Sequence, residues 1–109
     1  MTDPIQGKNI SPEIQKTYHK EFNEGIKLFQ KSLKEYEHTS DDNKKAAFKN
    51  VMDQALTIMN QSARGFLAPK AREEISTKLQ NDYQDFLNND TPTTYKKLNS
   101  DLNHLKNLG

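Results

Sequence analysis

The apolar residues of this chain recur every three or four positions in four blocks, and clusters of Pro, Gly, Asn and Asp divide the blocks. That period matches the 3.6-residue turn of an α-helix and not the alternation of a half-buried strand. A single valine in 109 residues, and no strand-length run of alternating polarity, argue further against sheet. The chain is therefore read as all-α.

Ser11-Pro12-Glu13 predicts the first helix start: a capping hydroxyl, a proline that pre-sets the first helical dihedral, and an acid at the positive end of the dipole. Its stripe is Ile14, Tyr18, Phe22, Ile26, Phe29, Leu33 and Tyr36, and it ends near Glu37. Gly25, inside that stripe, is expected to let another helix approach closely. Thr39 and Asp42 have the spacing of a capping box for the second helix, which runs to about Arg64. Phe48, Val51, Met52, Ala55, Leu56, Ile58, Met59 and Ala63 form a wider band there. Gly65-Phe66 predicts a left-handed helix end, and Pro69 opens the third helix with Ile75, Leu79, Tyr83, Phe86 and Leu87 on its apolar side. Thr91-Pro92 repeats the cap-then-proline device before Tyr95, Leu98, Leu102, Leu105 and Leu108. Short links favour antiparallel neighbours, so residues 11–109 are expected to form one domain, an antiparallel four-helix bundle of two long and two shorter helices. Pro4, Gly7 and Asn9 predict a flexible N-terminal arm over residues 1–10.

Several function classes fall away on composition. There are no cysteines, so disulfides, thiolate catalysis and cysteine-held zinc are excluded, and a reducing compartment suits the chain. Apolar runs are too short to span a membrane, and MTDPIQGKNI lacks the charged start and apolar core of a secretory signal, which together predict a cytoplasmic protein. Lysine outnumbers arginine 14 to 2 and asparagine is abundant, a bias associated with an AT-rich, bacterial genome. With only Arg64 and Arg72 available, bidentate reading of guanine or phosphate has little support, and a net charge of +1 argues against nucleic acid.

Catalytic and metal-binding patterns are missing from the sequence. His19, His38 and His104 are isolated, the four glycines stand apart and build no phosphate loop, and no HExxH motif occurs. Asp41-Asp42 and Glu73-Glu74 lie at helix starts, where they compensate the dipole. Asp82 and Asp85 share a helix face without the further oxygens of a calcium loop. The expectation is no enzyme, no cofactor and no metal.

What organisation the polar residues have lies on the first helix. Lys16, Lys20, Lys27, Lys31 and Lys34 fall within about 60° on the helical wheel, nearly opposite the apolar stripe, flanked by Glu13, Glu24 and Glu35. Such a row keeps the surface solvated, docks an acidic protein, or meets anionic lipid or nucleic acid. Met52 and Met59, one heptad apart on the wide band, are core candidates or the walls of an adaptable groove for a partner helix. Tyr18 at the stripe edge and Leu28 off it could extend that surface or seal a homodimer. The expected function is a non-catalytic protein-interaction module of adaptor or chaperone type, binding another protein through its first two helices. The alternatives are an immunity protein that neutralises a toxin, and a small nucleic-acid-binding regulator.

Overall fold

Ser11 caps the first helix as its position suggests: its Oγ accepts from the N–H of Ile14 (3.3 Å), and Pro12 occupies the first turn. The computed structural model describes residues 11–107, so the expected arm at 1–10, and Leu108, lie outside the described residues. Helix α1 spans Pro12–His38 and α2 spans Asp42–Ala63. A third rod is composite: α3 (Pro69–Glu73), a π-helical segment (Glu74–Leu79) and α4 (Gln80–Asn88) run on without a break. Helix α5 covers Pro92–Lys106. The all-α, four-helix expectation holds, and no strand occurs among the described residues. The chain resolves into two compact units, one ending at Phe66 and one starting at Leu67.

The first unit is an α1–α2 hairpin. Asp41 supplies the N-cap of α2: its Oδ1 accepts from the N–H of Asn43 (2.8 Å) and of Lys44 (3.2 Å). The Thr39–Asp42 box expected from spacing does not form, because the Thr39 hydroxyl is taken by the N–H of Asp41 (3.2 Å). At the end of α1, His38 Nδ1 lies 2.7 Å from the Lys34 carbonyl oxygen; a carbonyl only accepts, so this ring nitrogen carries the hydrogen. Phe22, Ile26, Phe29 and Leu33 of α1 and Met52, Ala55 and Met59 of α2 are fully buried. Ile14 is 48% exposed, since Tyr18, one turn later in α1, already lies against Gly65 just past the end of α2. Ile58 also faces outward, at 37% exposed.

Two glycines let the hairpin close. A Cβ on Gly25 would lie 2.9 Å from Met59 Cγ, 3.3 Å from Ile58 Cγ2 and 3.4 Å from the Ala55 carbonyl oxygen, which bears out the expected close approach. Gly65 serves a different purpose from the left-handed end predicted for it. The α2 cap, Arg64, is right-handed (φ −63°, ψ −22°), and Gly65 and Phe66 donate N–H bonds back to Ser62 and Ala63 in a tight turn. A Cβ at Gly65 would overlap the Tyr18 side chain at its Cδ2 and Cγ atoms. The missing side chain admits the tyrosine.

In the second unit, Ile75, Leu79, Tyr83 and Phe86 of the third rod and Leu98, Leu102 and Leu105 of α5 are buried. Thr91 caps α5 in the expected place: its Oγ1 accepts from the N–H of Thr94 (3.2 Å), and its own N–H donates to Thr94 Oγ1 (3.0 Å). This is a reciprocal box with threonine in the usual acidic role.

Gly65→Ala is expected to lower stability by about 1–3 kcal/mol, the usual cost of overpacking, although alanine is the better helix former. Placing Tyr18→Ala in the same chain should recover part of that loss, and urea denaturation of the two single variants and the double variant measures the coupling.

Candidate functional site

The rotation of α1 is set by its buried stripe, and that rotation turns the lysines outward. Lys16, Lys20, Lys27, Lys31 and Lys34 are all exposed, on the side away from Phe22, Ile26, Phe29 and Leu33. None of the five enters an ion pair among the described residues. Lys16, Lys20 and Lys27 line a shallow depression together with His19, Asn23 and Glu24, while Lys31 and Lys34 continue the basic row beyond it. The His19 ring is held in place by stacking on Phe66 (centroids 4.7 Å apart, planes 27°), and Phe66 meets Phe22 edge-on at 5.2 Å. Phe66, in the turn that follows α2, thus orients one wall of the depression.

The other expected partner-binding residues separate. Leu28 is 37% exposed, about 60° round the helix from Lys31. Tyr18 is half-buried, with its ring over Gly65. Met52 and Met59 are at 0% exposure and form no groove wall. Met59 is inside because its Cγ lies against the space that Gly25 leaves open.

A second polar cluster, not foreseen from the sequence, lies in the second unit. Lys78, in the π-helical segment, reaches Asp82 Oδ2 of α4 (3.2 Å) and Asp101 Oδ1 of α5 (2.6 Å) with one ammonium. Lys97 of α5 meets the other Asp82 oxygen at 3.3 Å. The Asp82 side chain is only 6% exposed, and Asp101 Oδ2 is buried with no donor among its neighbours. Next to the cluster, a groove is lined by Glu74, Lys78 and Leu79 on one side and Ser100, Asp101, His104 and Leu105 on the other. Across it His104 Nε2 is 3.2 Å from Glu74 Oε2, an ion pair when the imidazole is protonated.

The two carboxyls of the cluster are driven apart electrically. Burial lifts Asp101 to about 6, the hydrogen bond with Asp82 adds to that rise, and Lys78 opposes it. Burial also pushes Asp82 upward, but hydrogen bonds from Asp101, Lys78 and Lys97 outweigh it and hold this carboxyl below its ordinary value. Lys78 is raised, chiefly by its bond to Asp101 and against its own desolvation. A sequence signal for the cluster exists in two Lys-x-x-x-Asp spacings, Lys78 to Asp82 and Lys97 to Asp101. Only the first is made as spaced; Lys97 turns to Asp82 on the neighbouring helix.

Asp82→Ala should cost about 1–3 kcal/mol, because it strips two ammonium groups and Asp101 of a buried acceptor. Glu74→Ala, in a solvent-exposed pair, should stay within about 0.5 kcal/mol. Urea titration of both variants, followed by far-UV circular dichroism, reads the contrast. Comparison with protein-family models, curated proteins and solved structures gives no match to this chain, so what its surfaces do follows from their own chemistry.

Proposed function

We propose that this chain is a non-catalytic binding module of a bacterial cytoplasm, docking an acidic surface of another protein through the lysine face of α1. The observation that carries this is the row of five exposed lysines, none of them in an ion pair among the described residues. A surface that only needs solubility is served equally well by mixed charges that pair locally, as Lys49 and Asp53 do on α2 at 2.9 Å. Unpaired lysines on one side of a helix of 27 residues offer a partner's carboxylates charge without first breaking an intramolecular bond. Leu28, partly exposed at the margin of the row, adds an apolar contact to the same surface.

Protein is favoured over the other polyanions by what the face lacks. It carries no arginine to fork onto phosphate, and the ring beside the lysines, His19, is already stacked on Phe66. A membrane-surface helix would place large apolar residues toward the bilayer, whereas the large stripe of α1 is spent inside the protein. No helix among the described residues is long and apolar enough to cross a membrane.

The test uses fluorescent peptides rich in Asp and Glu, with fluorescence anisotropy as the readout. Binding to the wild-type chain should weaken steeply as salt is raised above about 0.1 M, where the Debye length drops below about 10 Å. The variant K20E/K27E/K31E should bind at least about tenfold more weakly, equivalent to about 1.4 kcal/mol. Duplex DNA and anionic phosphatidylglycerol vesicles serve as competing probes. Unchanged peptide affinity in the variant, or tighter binding of DNA or vesicles than of the peptides, would overturn the proposal.

A further inference from the structure

The Asp82–Asp101 cluster has one atom whose surroundings are chemically incomplete. Both Asp82 oxygens are engaged, Oδ2 by Lys78 and Oδ1 by Lys97, and Asp101 Oδ1 is engaged by Lys78. Asp101 Oδ2 is buried and faces no donor. An ionised carboxylate in that position holds an acceptor away from water with nothing to satisfy it. One proton resolves this: carried by Asp101, it becomes the donor of the hydrogen bond between the two carboxyls.

We propose that Asp82 and Asp101 form a proton-sharing pair that fastens α4 to α5 in mildly acidic solution and loosens on deprotonation, making the second unit a pH-responsive element. The charged groups facing the pair come from each element packed around it. Lys78 comes from the π-helical segment, Asp82 from α4, and Lys97 and Asp101 from α5, with the Glu74–His104 bridge across the adjoining groove. Both lysine side chains are more than half exposed (58% and 57%), so water weakens their hold on the second negative charge. Deprotonation leaves two carboxylates side by side, one of them short of a donor.

The sign follows from linkage. Asp101 binds its proton more tightly in the fold, at about 6 against an ordinary 3.8, so this contribution is fully present at low pH and declines as pH rises from about 4 to 6. Asp82 behaves oppositely: its carboxyl is held below its ordinary value, and its contribution disappears only in stronger acid. Between pH 5 and 7 the Asp101 effect dominates, and the unfolding equilibrium constant should rise on the order of tenfold.

The experiment is a pH series on the full chain with two readouts. Carbon-13 resonances of the aspartate carboxyls should show Asp101 titrating near 6 together with a smaller, concerted displacement at Asp82. Urea denaturation of wild type and D101N should diverge: the asparagine amide donates to Asp82 at every pH, so the tenfold change between pH 5 and 7 should be absent from the variant. D82N supplies an independent arm, since its amide donates to the Asp101 carboxylate and should bring the Asp101 midpoint down toward the ordinary range. A single Asp101 step near 3.8, wild-type and D101N profiles that run parallel between pH 5 and 7, or an Asp101 midpoint that stays near 6 in D82N, would each overturn the proposal.

Discussion

Close approach of α1 to the segment that begins at Ala55 and ends at Gly65 is the constraint on which the first unit depends. Hydrophobic residues make up only 32% of the chain, so each large side chain has to be covered well for folding to outweigh chain entropy. Gly25 and Gly65 achieve that coverage at the two places where a Cβ would hold the elements apart. At Gly25 the space is used by a methionine, whose unbranched thioether fits an irregular gap. At Gly65 it is used by the Tyr18 side chain, and the following Phe66 then reaches both His19 and Phe22. The end of the hairpin away from its 39–41 connection is an aromatic cluster admitted by a residue with no side chain.

Once that stripe is committed inward, the polar side of α1 has one orientation left. Its lysines point into solvent because Phe22, Ile26, Phe29 and Leu33 cannot, and helical geometry puts the two sets about half a turn apart. The basic row and the core are therefore two consequences of one rotational choice. The second unit distributes charge differently. There the ionic residues cross between helices and are partly buried, so they bear on how the unit holds together rather than on what it presents outward.

Much of this was legible in the amino-acid order, for reasons that are local. Ser11, Thr91 and the prolines after them mark helix starts because a cap needs only its own next three residues. The stripes at Phe22 through Leu33 and Ile75 through Phe86 show through because burial repeats with the helical period. Several misses are choices between near-equal local options. Thr39 and Asp41 both could cap α2, and the hydrogen bond between them settled it. Gly65 looked like a helix terminator and was instead shaped by a tyrosine 47 positions earlier. Met52 and Met59 read as core first and groove second by pattern, and the position of the opposing glycine bears out the core for Met59. The carboxyl pair was hidden more deeply, since Asp82 and Asp101 belong to different helices and no spacing rule joins them.

The wide turn at Glu74–Leu79 gives the third rod an unusual sensitivity to chain length. Each residue added to or removed from a helix swings everything before it by about 100° relative to everything after it. Here the swing would carry Ile75 off the apolar side shared with Tyr83 and Phe86, and would aim Lys78 away from one or both of its carboxylates. Connecting loops such as the one around Ser40 absorb a lost or gained codon by changing their path. No connecting loop interrupts this rod between Pro69 and Asn88, and the six wide-turn positions set the phase between its two ends.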